Sequence, residues 1–245
     1  MPNWVRNELS FRPVEREFVK SKDKNTVALE VLQAIQCTDE TQEEHGLGTI
    51  DFNKIIPMPE SLNIPSGSDE DYSIAIYLTN KLQIPHEQTL LENYISNRFS
   101  LNWSAEVVAE CRGRNYSEEE MDRLYELGKQ YVSNKDNYGS TTWYDWCNKN
   151  WGTKWNASGC AFSSGCLYFQ TAWSTPEPIV KQLSKMFRDV YFKCNYADED
   201  YGSNCGWYTY FNGEIVDFYT PTGERAIDFA LKIWGENEDG SVIDV

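Results

Sequence analysis

Polar and apolar side chains alternate along Asn3–Phe11 (NWVRNELSF), which predicts a first strand, although Trp4, Asn7 and Leu9 do not share one face. Ala28, Val31, Leu32 and Ile35 then recur at helical spacing behind a polar cap at Asn25 or Thr26. After the acidic stretch Thr38–Glu44, Gly46 and Gly48 lead into Ile50, Phe52, Ile55 and Ile56, which predict a second strand stopped by Pro57 and Pro59. From Glu60 to Ser140 the pattern is helical. Ile74, Tyr77, Leu78 and Leu82 form one stripe, and Leu90, Leu91, Tyr94 and Ile95 form another. A third begins at Ser117, paired with Glu120 as a capping box, and runs through Leu124, Gly128, Tyr131 and Val132. Strands return at Cys160–Phe162 and Leu167–Trp173, flanking Ser163-Ser164-Gly165 as a hairpin. Ser174, with Pro176 and Glu177, predicts a cap for a helix whose apolar stripe is Ile179, Val180, Leu183, Met186 and Phe187. A strand at Val190–Tyr196 follows. Trp207–Phe211 and Ile215–Tyr219 then form a hairpin around Asn212-Gly213. The last helix carries Ile227, Ala230, Leu231 and Trp234 and ends at Gly235.

Two strand–helix–strand halves separated by a helical block predict an α+β fold. The short connections fit a ferredoxin-like, split βαβ sandwich with a mostly antiparallel sheet. The expected organisation is one domain over residues 1–245. It carries a helical insertion at about 60–140, with no flexible linker around it, and a C-terminal hairpin plus helix at 206–235.

Four of the nine tryptophans crowd into Tyr138–Asn156 (YGSTTWYDWCNKNWGTKWN). Trp143, Trp146, Cys147 and Asn150 or Trp151 fall at helical spacing, as for a core helix joined by Gly152 to a strand. The competing reading is a binding face. Lys154 beside Trp155 and Tyr138 would take a flat anionic ligand such as a nucleotide, or an arginine of a partner protein. Asp145, among these aromatics, is expected to face water or to cap a neighbour, because an unpaired buried carboxylate is costly.

Charge changes the list of partners. The net charge of −16 and pI near 4.5 argue against direct nucleic-acid binding, which needs Lys and Arg to neutralise phosphates. The acidic clusters, Asp198-Glu199-Asp200 among them, read either as solvated loops or as a surface that meets a basic partner. No apolar run approaches the ~20 residues needed to span a bilayer, and the opening MPNWVRNELSF has no signal-peptide pattern, so a cytoplasmic location without membrane contact is expected. Seven cysteines without paired spacing predict free, mostly buried thiols and no zinc site.

Catalytic chemistry finds little support. The only histidines, His45 and His86, sit in polar surroundings, and neither a G-x-S-x-G elbow nor a phosphate-binding glycine loop is present. Asp198, Glu199 and Asp200 before Tyr201-Gly202 are the best carboxylates for magnesium or acid–base work, against the plainer reading of a solvated turn. No catalytic residue, metal ligand or cofactor is assigned.

Five segments carry a resemblance: MPNW, DFNKIIPMPESL at Asp51–Leu62, the stretch ending NWGTKWN, FQTAWSTPEP, and YADEDYG-x(3)-G at Tyr196–Gly206. In this order they resemble the YubB-like family of bacteriophage and plasmid proteins, whose domain is described as ferredoxin-like. The resemblance extends from the first residue to about Tyr219. It implies a mobile-element accessory protein and brings no catalytic residues. The word ferredoxin is topological only, since the chain lacks grouped cysteine ligands for a cluster. The expected function is a non-catalytic binding protein that masks a host factor, such as a defence component. Its contact residues would be Tyr138, Trp143, Lys154, Trp155, Asp198, Glu199 and Asp200. Sequestering a nucleotide-like small molecule is the first alternative, and a carboxylate-based, metal-dependent enzyme the second.

Overall fold

The computed structural model describes residues 3–14, 24–37, 50–82 and 116–235. The chain divides into two compact units, Met1–Pro57 with Cys147–Val245, and Met58–Trp146. The expected helix at Leu90–Ile95, the acidic stretch Thr38–Glu44, His45, His86 and Cys111 lie outside the described residues. No described helix is long and apolar enough to cross a membrane.

The first unit is built on six antiparallel strands: β1 (Trp4–Pro13), β2 (Ser158–Ser163), β3 (Cys166–Ala172), β4 (Val190–Asp198), β5 (Cys205–Phe211) and β6 (Glu214–Tyr219). Their order is β2-β3-β1-β4-β5-β6. The first four reproduce the ferredoxin-like split βαβ arrangement, and the β5–β6 hairpin extends it. Helix α1 (Lys24–Ile35) follows β1.

The second strand expected over Ile50–Ile56 does not form. Ile50 makes one isolated bridge with Gln36, and Phe52–Lys54 is a 3-10 turn. The Asp51 carboxylate accepts from the Asn53 amide at 2.9 Å and from Asn156 Nδ2 at 2.9 Å, while Asn156 Oδ1 accepts from the Phe52 amide at 2.7 Å. Capping by Asp51 and a distant asparagine wins over apolar content. Phe52 is a plug in the core, edge-on to Trp151 and Phe169. Strand β2, after the helical block, completes the first βαβ unit instead.

On β1 the buried face is Val5, Asn7, Leu9 and Phe11, and Trp4 lies on the other parity. Asn7 is tolerated there because Nδ2 donates to Val5 O at 2.9 Å and to Thr171 Oγ1 at 2.8 Å. The hairpins turn on Ser164-Gly165 and Asn212-Gly213, all four residues at positive φ, as a two-residue type I′ turn requires.

Among the described residues the further helices are α2 (Ser68–Leu82), α3 (Glu118–Tyr138), α4 (Trp143–Asn150), α5 (Glu177–Met186) and α6 (Glu224–Trp234). Helix α5 buries Ile179, Val180 and Leu183, as its stripe predicts, but Met186 is exposed. Its N-cap is Pro176, without a side-chain cap, because the Ser174 hydroxyl donates to Gly152 O. Helix α6 packs Ala226, Ala230 and Ile233 against Ala197 and Cys205, leaving Ile227 outside that stripe. None of the six described cysteines is in a disulfide, and four of them are buried.

In the second unit, Ile74, Tyr77 and Leu78 of α2 pack on Tyr131 and Val132 of α3. Gly128 permits the close crossing, since a Cβ there would fall 1.9 Å from Ser73 O. The Ser117–Glu120 capping box forms as predicted, and Gly139 ends α3 at φ 72°.

Candidate partner-binding site

The starts of β1 and the ends of β3 and β4 meet at one end of the sheet. The approach to β2 brings Lys154 and Trp155 to the same place. There the Lys154 ammonium lies between two indoles, 4.3 Å from the Trp155 ring centroid and 4.9 Å from that of Trp173. Trp4 adds a third ring, tilted 42° to Trp155 at 6.2 Å. Trp155 and Trp173 remain 37% and 40% exposed. Such cation–aromatic contacts fix the rings in place without burying them.

Trp173 is held in a left-handed backbone conformation, φ 71°, which is rare for a bulky side chain and costs about 1–3 kcal/mol. Two bonds hold it there. Its amide donates to Asn3 O at 2.9 Å, and its carbonyl accepts from Asn204 Nδ2 at 2.9 Å.

Behind the indoles lies Asp198, 5% exposed and fully bonded. Its Oδ1 accepts from Asn3 Nδ2 at 3.2 Å and from the Asp200 amide at 2.9 Å, and Oδ2 accepts from Asn204 Nδ2 at 3.0 Å. The turn reading of Asp198–Asp200 is therefore half corrected. Asp198 ends β4 as an internal tie, whereas Glu199 and Asp200 face solvent. Glu199 Oε1 accepts from the Trp4 amide at 3.1 Å, and the Glu199 amide donates to Trp4 O at 2.9 Å. The Trp234 indole donates to the carbonyls of Ala197 and Asp198, both at 3.1 Å, which anchors α6 to the same corner.

The structure thus gathers Lys154, Trp155, Asp198, Glu199 and Asp200. The other two expected contacts belong to the second unit. Tyr138 ends α3 in the second unit and is exposed, and Trp143 begins α4, half-buried and edge-on to Tyr144. Trp146 and Trp151 are core residues, and the Trp151 indole donates to Ile56 O at 2.8 Å. Asp145 is exposed, as its cost of burial predicts. Trp4, Trp173, Asn3 and Asn204 join the site without having been singled out. Trp4 and Trp173 stand inside MPNW and FQTAWSTPEP, but nothing local marks Trp173 for a positive φ.

Among the described residues, no group of three His, Cys, Asp or Glu is placed to hold a metal ion. Burial pushes the Cys147 and Cys194 thiols up to about 12 and the Cys166 thiol up to about 11. That is the opposite of the lowering that makes a thiol a nucleophile.

Residues 150–244 match the family model described as the ferredoxin-like domain in Api92-like protein. No curated protein matches the chain. The crystal structure of a protein api92 from Yersinia pseudotuberculosis is similar at 13% identity, covering 91% of this chain and 99% of that one, with a TM-score of 0.34. The C-terminal part of the chain, from the end of α4 onward, is thus similar to the ferredoxin-like domain of Api92-like proteins.

Proposed function

We propose that this protein is a non-catalytic binding protein whose Trp155–Lys154–Trp173 corner holds a partner protein. The setting suggested by the sequence resemblance is a phage- or plasmid-borne, YubB-like accessory protein that masks a host factor. The observation that carries the reading is the pair of exposed indoles clamped on one lysine, with the Trp173 backbone held against its own preference. Trp dominates the energetics of protein interfaces because it brings a large, stiff, partly polar surface at little entropic cost. Strain retained at an exposed aromatic fits a contact geometry better than it fits a packing need. Exposed Glu199 and Asp200 border the corner and, with the net charge of −16, favour a basic rim on the partner.

The test is retention of a partner from a bacterial lysate on immobilised protein at moderate salt. A band lost with Trp155→Ala and weakened by Lys154→Ala or by Glu199→Lys supports the reading. Retention of no partner, or equal retention by all four proteins, contradicts it. Charge reversal at Asp198 is not informative here, since it would break the internal tie.

A further inference from the structure

The β6 strand is exposed along its whole length, and its large apolar side chains are Ile215, Val216, Phe218 and Tyr219. Phe218 is 67% exposed, the most open large hydrophobic among the described residues. β6 pairs with β5 on one side, and no described strand pairs with the other. The β5 partners Tyr208 and Tyr210 are buried beside Thr175 and Glu177, next to α5, so β6 runs beyond the cover of that helix. Sheet edges are ordinarily protected by lysine, proline, shortness or an overlying element. β6 has neither Lys nor Pro over six residues. Apart from the register shift that leaves Val216 between the Ile215 and Asp217 pairings, its protection is a carboxylate: the Phe218 amide donates to Asp217 Oδ1 at 3.0 Å. That amide therefore points away from β5 and is available to an added strand.

We propose that β6 accepts an extended segment of another protein as a seventh strand, and that the segment carries apolar residues together with a lysine or arginine. Strand addition supplies main-chain hydrogen bonds, while alternate side chains set the choice of segment. An incoming carbonyl takes the Phe218 N–H from Asp217 and leaves that carboxylate beside newly covered apolar surface. A cation on the segment restores its partner, and Glu214 at the start of the strand offers a second anionic contact. A second copy of this chain fits poorly, since it would bring its own Glu214 and Asp217 and a further net charge of −16. The surface is separate from the tryptophan corner, with β4 and β5 between β1 and β6, so either can fail without the other.

Two capped eight-residue peptides test this, one alternating valine with lysine and the other valine with glutamate. They are titrated into isotopically labelled full-length protein and followed by amide shifts and hydrogen exchange. The valine–lysine peptide should bind saturably, with shifts confined to residues 205–219 and slowed exchange at Phe218. The valine–glutamate peptide should not bind. Asp217→Asn, which keeps the capping oxygen and the fold, should weaken the valine–lysine peptide about tenfold. Phe218→Pro, lacking the amide, should abolish binding. Failure of the valine–lysine peptide to bind, shifts away from β5 and β6, or an Asp217→Asn protein that binds as well as wild type would overturn the proposal. So would a concentration-dependent dimer in sedimentation that Phe218→Lys dissolves, because the edge would then belong to a second copy.

Discussion

Trp151 and Trp155 lie four residues apart and have opposite fates. Trp151 is 4% exposed, its indole N–H is bonded to Ile56 O, and its ring meets Phe52 edge-on. Trp155 is 37% exposed, and its ring faces a lysine that a second exposed indole also faces. Composition treats the two alike. What separates them is where the polar handle and the ring surface find partners: inside the fold for Trp151, beside charge and solvent for Trp155. A tryptophan-rich segment can therefore supply core and contact surface together, and the division must be tested residue by residue.

The sharpest contrast is in stability. Trp151→Ala removes a buried ring and leaves the Ile56 carbonyl unbonded, so it should cost about 3–5 kcal/mol in denaturant unfolding. A cost below about 1 kcal/mol would remove Trp151 from the core side of the comparison.

Asp198 is the next largest. Replacement by Ala removes one acceptor each from Asn3 Nδ2, Asn204 Nδ2 and the Asp200 amide, at roughly 1–3 kcal/mol in total. It should also free the Trp173 backbone, visible as faster exchange of the Trp173 amide. Asp200→Ala, at the exposed neighbour, should stay within about 0.5 kcal/mol of wild type.

The smallest effect expected is a pH dependence of the helical unit. Burial raises the Glu70 carboxyl above its ordinary 4.5, opposed by its bond from the Thr141 hydroxyl and reinforced by Asp145 and Asp71. The folded unit then holds its proton more tightly than the unfolded chain. Stability should rise as pH falls from neutral through the raised value, and level off below about 4.5. Glu70→Gln should flatten that slope and raise the neutral-pH melting temperature by roughly 1–2 °C.

Much of the fold was legible locally. The β1 alternation, the Ser117–Glu120 box, the α5 stripe and the Asn212-Gly213 hairpin are each decided by residues within one or two turns of each other. The strand expected over Ile50–Ile56 failed because Asn156, more than a hundred residues on, takes the Phe52 amide and holds Asp51 in a capping turn. The Ser174 cap failed because that hydroxyl reaches back to Gly152. For the site, sequence proximity found Lys154 beside Trp155, while Tyr138 belongs to the second unit. The run Asp198–Asp200 looked uniform, yet Asn3, at the far end of the chain, makes Asp198 structural and leaves its neighbours exposed. Long-range hydrogen bonds and a positive φ at Trp173 leave no local trace in the sequence.

The exposed indoles serve contact and not cohesion, and the unfolding free energy of the Trp155→Ala/Trp173→Ala double variant tests this most directly. Both rings are well exposed, and the left-handed backbone at residue 173 strains alanine as it does tryptophan, so loss of the Lys154 contacts should leave the double variant within about 1 kcal/mol of wild type. A loss of about 3 kcal/mol or more, comparable to that of Trp151→Ala, would place both rings in the core and contradict the account.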